Sequence, residues 1–490
     1  MILGVDFGTS QLSAAWIGPD GSPALVPDKH DPENFATPAW VCLEGDRAHV
    51  GRTAELLAED NASWPAARRL KAAWSTNQAV MTDGRGATWL PETAVALLLR
   101  KLVDDAKLVM GRRPERLVIT VPANFTTAER QAVWRAGDWA GFTQVGLIED
   151  GLAAARFLAA GTPPPPGPVL LLAAGARQIE ARVLRVAENS LTTLGVSTGH
   201  GGEHELHEQL LALIAPLAGA GADGPARAAF LRSAEKLLPR LLRPGGREME
   251  QVFFHRGRPV IVNLLPVHAA RAAAPALARI LAVTEQALQA AKLDWSGLAA
   301  VWPVGCCALQ PALLQALGEK WGRSVTARQP LQAAAFGAAA HGADLAAGQP
   351  WAGLPAAPGR PGAAFGLRTR DAAGQASFEE LIAGTAARPA KASRQFMTTR
   401  ADQVRLVFEL AFKDAAGVEP AGVLAFGPIH RPRLNLPVDL QVTLDERGEV
   451  CVEAVDATTG AKLPRTVVTK GLSSELFVQQ RGLLDSLRLS

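Results

Sequence analysis

The apolar run Ile2-Leu3-Gly4-Val5-Asp6-Phe7 predicts a buried strand, Gly8-Thr9-Ser10 a turn, and Leu12–Ile17 a second strand ending at Gly18-Pro19-Asp20-Gly21. A hairpin with a glycine turn thus opens the chain. Apolar positions fall at helical spacing over 92–110, where Leu97, Leu98, Leu102 and Val103 share a face. Arg116–Val121 reads as a strand stopped by Pro122. Thr126 or Thr127 then caps a helix over 128–140 with Glu129 in its first turn. A strand at Gln144–Ile148 and a helix at Gly151–Ala160 follow.

The stretch Pro163–Pro168 is a stiff break, and after it the pattern restarts: strand Val169–Leu172, a glycine-containing turn, strand Ile179–Val186. Two similar halves predict a duplicated α/β architecture with a cleft between its lobes. Helical spacing dominates 203–320, with one β-ribbon near 250–264. Residues 342–362 are rich in Ala, Gly and Pro and read as a linker. Beyond them the period becomes two. Val404, Leu406, Phe408, Leu410 and Phe412 face one way, with Arg405, Val407, Glu409 and Ala411 opposite. Leu440–Leu444 and Val450–Ala454 alternate too, around the turn Asp445-Glu446-Arg447-Gly448. An antiparallel β-domain is expected, and then a short amphipathic helix or a frayed tail over the last twenty residues.

Composition adds bounds. A chain of 490 residues exceeds one hydrophobic core. With 48% hydrophobic and 20% charged residues it is globular in type. A net charge of +3 makes no case for nucleic acid or an anionic membrane as partner. No apolar run is long enough to span a bilayer, and MILGVDFGTS lacks the basic region and cleavage site of a signal peptide. Cys42, Cys306, Cys307 and Cys451 follow no metal or disulfide spacing, so a reducing cytoplasm is the expected home.

Several stretches resemble one family in order. Gly4-Val5-Asp6-Phe7-Gly8-Thr9-Ser10 is similar to the first phosphate loop of actin-like ATPases. Val118-Ile119-Thr120-Val121-Pro122-Ala123-Asn124-Phe125, with Glu129-Arg130-Gln131-Ala132 and Ala140-Gly141, resembles the heat-shock 70 (DnaK-type) chaperones. So do Pro330 through Phe336-Gly337-Ala338-Ala339, Phe396-Met397-Thr398-Thr399, Leu436 through Asp445, and Ala454 through Lys462. The resemblance implies an α/β, actin-like duplicated ATPase fold followed by a C-terminal antiparallel β-sandwich. Its domains would be a nucleotide-binding part over 1–343 (lobes about 1–162 and 167–343), a linker at 344–362, a peptide-binding-like sandwich at 363–470, and a tail or remnant lid helix at 471–490.

A phosphate clasp needs converging backbone N–H groups and small residues. Gly8, Thr9 and Ser10 supply these after Asp6, a carboxylate placed to orient Mg²⁺; the plain alternative is a hairpin whose Asp satisfies the turn. By resemblance, Asp6, Arg68 and Asp150 hold the catalytic positions. Gly8, Thr9, Ser10, Gly175, Gly201, Gly202, Glu203 and Gly305 hold those that bind ATP or ADP with Mg²⁺. Departures are many. The second loop reads Ala173-Ala174-Gly175-Ala176-Arg177-Gln178, with Ala173 in place of the family's Asp. Arg68 stands for a lysine, which is no conservative exchange. Asp150 stands for a glutamate. Cys306 and Cys307 replace Gly and Ser, Leu309 replaces a stacking Arg, and Leu238 falls at an adenine-contacting lysine. Each lost charge-assisted hydrogen bond costs roughly 1.5–3 kcal/mol. Several together remove on the order of a hundredfold to ten-thousandfold in affinity or rate. Weak or optional nucleotide binding and slow or lost hydrolysis are expected.

In the β-half the resemblance puts Phe396, Leu406 and Phe408 in a peptide pocket, Met397, Thr399 and Gln403 near its edge, and Arg370 at an arch over it. The alternative is that these residues are sandwich core. Only Asp344-Leu345 is similar to the family's docking linker, and the lid is nearly absent. The expected function is a DnaK-like chaperone holding extended or unfolded polypeptide. The alternatives are a pseudo-ATPase scaffold for a dedicated partner or co-chaperone, and an active ATP-hydrolysing chaperone. His200, His204 and His207 with Glu203 and Glu208 have ligand-like spacing, but a solvated helix turn is the simpler reading.

Overall fold

The structure is a computed structural model. It describes residues 1–61, 63–74, 79–161, 164–214, 241, 248–255, 258–354, 364–370, 376–384, 386, 389–414, 417–444, 450–468 and 474–489. It is a mixed α/β protein that divides into two compact units. The first comprises Met1–Thr37, Asp105–Asn124 and Glu149–Leu354; the second comprises Pro38–Asp104, Phe125–Ile148 and Pro355–Ser490.

In the first unit one small motif occurs twice. Strand Ile2–Phe7 pairs antiparallel with Gln11–Ile17 and parallel with Arg116–Val121. Strand Pro168–Ala174 pairs antiparallel with Gln178–Ala187 and parallel with Ala300–Val304, and Ser190–His200 extends that sheet. A strand buried on both faces reads as a continuous apolar run, and Val169–Leu172 does so. The turns repeat as well: the Gly8 N–H donates to the Gln11 carbonyl at 3.0 Å, and the Gly175 N–H to the Gln178 carbonyl at 2.9 Å.

Helix Ala333–Ala346 packs on the first sheet through its small residues. A Cβ on Gly4 would lie 2.2 Å from the Ala339 nitrogen, and one on Gly337 would lie 1.7 Å from the Ala153 carbonyl. The Gly-Ala stretch that marks the family is therefore a close-approach surface. Asp344, expected in a linker, sits in the last turn of this helix, where its two carboxylate oxygens accept from Nε and Nη2 of Arg156 at 2.8 and 2.9 Å. Arg156 also lies over the Trp351 ring, 4.1 Å from its centroid. The helix Pro266–Ala290 packs against the second sheet, with Ile280, Val283, Ala287 and Leu288 in its core. The expected ribbon is present as Met249–His255 paired with Arg258–Leu264.

In the second unit, Thr126 caps helix Thr127–Trp139 in a capping box with Glu129, as the sequence suggests. Buried Arg135 donates to buried Glu92 at 2.7 Å. Five strands, in the order Ala376–Ile382, Ala364–Arg370, Leu406–Asp414, Gly417–Phe426 and Arg465–Val468, form one antiparallel sheet. Ala390–Met397, Pro437–Leu444 and Val450–Asp456 form another. Phe365, Leu367, Leu406, Phe408 and Phe426 of the first share one core with Val438, Leu440, Val442 and Val452 of the second.

The alternation read for 404–412 needs two corrections. Val404 precedes the strand and is exposed, its carbonyl accepting the Ile429 N–H. Ala411 is buried rather than outward, because the pairing register shifts between Leu410 and Ala411. Of the two readings for the last twenty residues, the helix is the one found: Ser474–Asp485 leads into strand Arg488–Leu489, which pairs in parallel with Arg47–Val50. No helix among the described residues is long and apolar enough to cross a membrane.

Candidate nucleotide and polypeptide sites

Asp6 is carried by the first strand, opposite Ser13 in the hairpin ladder. The Thr120 hydroxyl, from the neighbouring parallel strand, donates to the Asp6 carboxylate at 3.0 Å and accepts the Phe7 N–H at 3.1 Å. Thr120 therefore orients the carboxylate, a role that its place in a family block did not disclose. Gly8 is obligatory for the tight turn after Asp6, since a Cβ there would lie 2.5 Å from the Gln11 carbonyl. Asp6, Gly8, Thr9 and Ser10 are thus brought together as the sequence implies, and they suit a magnesium nucleotide.

Gly175, Gly201, Gly202, Glu203 and Gly305 also converge, but on one another. The Gly201 N–H donates to the Arg177 carbonyl at 3.0 Å, Glu203 N–H to Gly175 at 3.2 Å, and His204 N–H to Ala176 at 2.9 Å. Three amides at the start of helix Glu203–Ile214, which would otherwise favour an anion, are thereby occupied by the second loop. A Cβ on Gly202, whose φ is +133°, would lie 2.1 Å from the Gly175 oxygen, and one on Gly305 (φ +87°) would lie 2.4 Å from the Ala174 oxygen. Ala173 brings no carboxylate where Asp6 stands in the first half, two residues before the turn glycine. This half does not suit a triphosphate.

Beside it, burial pushes the Glu203 carboxyl above its ordinary range, although a hydrogen bond with the Cys306 thiol pulls it back. The Cys306 thiol is pushed well above its usual value by its bond to Cys307, by burial and by Glu203. The Cys306 thiol is thereby held neutral. Leu309, at the position of the stacking arginine, is exposed.

Asp150 opens helix Asp150–Gly161 next to a buried charge cluster. Arg182 bonds Glu180 at 2.8 Å, Thr193 at 3.0 Å, and Glu149. Burial holds the Glu180 carboxyl above the usual range, Arg182 opposes that, and Glu149 and Asp150 add to it. Periodicity cannot reveal such a cluster, because it requires polar residues on a strand that otherwise reads as buried. Arg68 belongs to the second unit, on strand Ala66–Arg68 with its guanidinium 5.2 Å from the Trp40 ring centroid.

His207 is buried and neutral, its pKa lowered to about 4 chiefly by desolvation. His204 lies 3.5 Å from Glu208. No group of three metal-binding side chains occurs among the described residues.

The polypeptide candidates divide into two sets. Leu406 and Phe408 are buried in the shared core and half-buried Phe396 packs against it; the Phe408 ring meets Phe396 and Phe426 edge-on, with centroids 5.1 and 6.1 Å apart. Met397, Thr399 and Gln403 lie at the surface. Gln403 accepts from the Thr399 N–H at 2.8 Å and donates to the Arg405 carbonyl at 3.2 Å. Thr398 exchanges backbone bonds with Leu436 and Asn435. Flanking these bonds, Met397, Val404 and Leu434 are 50%, 51% and 55% exposed. The backbone of Arg370 ends strand Ala364–Arg370; its side chain lies outside the described residues, as does Leu238.

Known proteins match part of the chain. A family model described as Hsp70 protein matches residues 47–162. The chaperone protein DnaK of Thermosipho africanus (strain TCF52B) is 26% identical over 222 residues, 44% of this chain and 35% of that protein. The DnaK of Thermotoga maritima is 26% identical over 212 residues, 43% and 35% of the two chains. The matched part thus spans about a third of the length of these relatives. With the repeated hairpin and the Gly-Ala helix packed on it, these matches support divergent membership of the Hsp70 family.

Proposed function

We propose that this protein is a chaperone-like holder of extended or unfolded polypeptide, built as an actin-like nucleotide-binding part and a peptide-binding-like β-sandwich, in which nucleotide is weak or optional. The observation that carries it is the edge strand Ala390–Met397, which ends at exposed Met397 beside exposed Val404 and Leu434. An edge strand offers backbone partners to an extended chain, and apolar neighbours hold its side chains. Because Leu406 and Phe408 are packed into the core, the grip is shallow and lies at the surface rather than in a deep pocket. The occupied amides of Gly201, Glu203 and His204 support the weakness of nucleotide, and the four free cysteines fit a reducing cytoplasm.

Titration of a fluorescent apolar peptide tests this. Saturable binding that Met397→Glu or Val404→Glu weakens about tenfold or more, with thermal stability retained, is expected. Absence of saturable binding overturns it.

The occupied amides also support a second reading, a pseudo-ATPase scaffold docking one dedicated partner. Pull-down of a single stoichiometric protein in place of a heterogeneous set separates the two. Magnesium-dependent phosphate release abolished by Asp6→Ala would instead establish an active ATPase.

A further inference from the structure

The C-terminal segment makes specific contacts with residues nearly four hundred positions away, all inside the second unit. Gln480, fully buried, accepts the Leu90 N–H at 3.1 Å and the Thr93 hydroxyl at 2.6 Å through Oε1, and donates through Nε2 to the Thr88 carbonyl at 2.7 Å. Arg100 donates to the Leu484 carbonyl at 3.1 Å. Past the helix, Arg488 N–H bonds the Asp46 carbonyl at 3.1 Å, and Arg488 and Leu489 pair with Arg47 and Ala48.

Over the described side chains of 479–489 the attachment is specific yet thinly packed. Of the side chains described in this segment, only Gln480 and Leu484 are buried. A cavity of about 320 Å³ is lined by Trp64 and Trp89 together with Leu483, Ser486 and Leu487 of the segment. A buried carboxamide bonded through both its oxygen and its nitrogen specifies one position, but water replaces those bonds on opening, so each adds little net stability. Segments with few buried apolar groups open locally, well before the fold does.

We propose that residues 479–489 are a strap. Closed, it ties the chain leaving the last sheet strand, Arg465–Val468, to the helix Pro91–Met110 and the strand Arg47–Val50. It opens as a unit while the two sheets stay folded. The proposal is independent of the polypeptide reading, since it uses none of those surface residues.

The test is hydrogen exchange on the full chain carrying Arg47→Cys and Arg488→Cys, with Cys451→Ser to remove the exposed thiol. Arg47 and Arg488 are exposed register partners, and neighbouring strands are about 4.8 Å apart, within disulfide reach. Oxidation is expected to slow exchange across Thr88–Arg100 by about tenfold or more relative to the reduced protein. Gln480→Leu is expected to speed it there and in 479–489, leaving Val438, Leu440 and Val442 unchanged. Equal exchange in the oxidised and reduced forms, failure of the disulfide to form, or faster exchange at Val438–Val442 in the Gln480 variant would overturn the strap.

Discussion

The Glu203 N–H donates to the Gly175 carbonyl across 3.2 Å, joining the third glycine segment to the second loop. With the Gly201 and His204 amides similarly engaged, this loop contact occupies donors suited to an anion. The proposed weakness of nucleotide binding thus rests on backbone geometry as well as on side-chain identity.

Restoring the second loop should therefore restore affinity. The triple change Ala173→Asp, Arg177→Gly and Gln178→Thr returns a carboxylate, a hydroxyl and close backbone approach. Two recovered charge-assisted bonds at roughly 1.5–3 kcal/mol each predict a gain of at least about a hundredfold for Mg·ATP. Calorimetric titration of the parent and the triple variant measures it; equal, flat titrations would contradict it.

The Arg182 cluster should be sensitive to the loss of that guanidinium. Arg182→Leu leaves Glu180 and Glu149 without it in a buried site. Removing one partner of a buried pair typically costs about 3–5 kcal/mol. Thermal and urea unfolding should show a loss of that order, and Glu180→Gln in the same chain should recover part of it.

Phe408 is a test of core against groove. Its ring is packed between Phe396 and Phe426, so Phe408→Ala should cost about 3–5 kcal/mol in stability. A Phe lining an open groove would lose peptide affinity with little change in unfolding. Denaturant midpoints separate these outcomes.

Acid should weaken the fold through His207 and His341. Burial lowers both to about 4, and for His341 nearby Asp344 opposes this while Arg156 adds to it. An unfolded histidine titrates near 6.5. Between that value and about 4 the unfolded chain takes up protons that the fold refuses. Their contribution is therefore complete above pH 6.5 and is lost as pH falls, by about 2 kcal/mol per histidine at pH 5. Urea midpoints at pH 7.5 and 5 should differ, and His341→Gln should flatten the dependence.

Much of the fold was legible locally. Gly8 and Gly175 close tight hairpins, Thr126 and Glu129 make a capping box, and Arg116–Val121 is the strand its residues imply. These signals lie within a few neighbouring positions, where turn chemistry and capping act. The site was only half legible. Asp6 could be recognised, but Thr120 as its partner lies 114 positions away. The hydroxyl carries no mark of that duty. Leu406 and Phe408 alternate as groove residues must, yet alternation says which side is apolar, not whether another sheet covers it.

By itself, then, the sequence determined many of the elements, the duplicated motif and the resemblance to one family, since these follow from periodicity, turn residues and matching blocks. Tertiary structure alone decided which amides remain for a ligand, which aromatics became core, and where the C-terminus attaches. Such outcomes depend on partners that approach only when remote segments pack: Gln480 meets Leu90 across 390 positions, and nothing near either residue specifies that meeting.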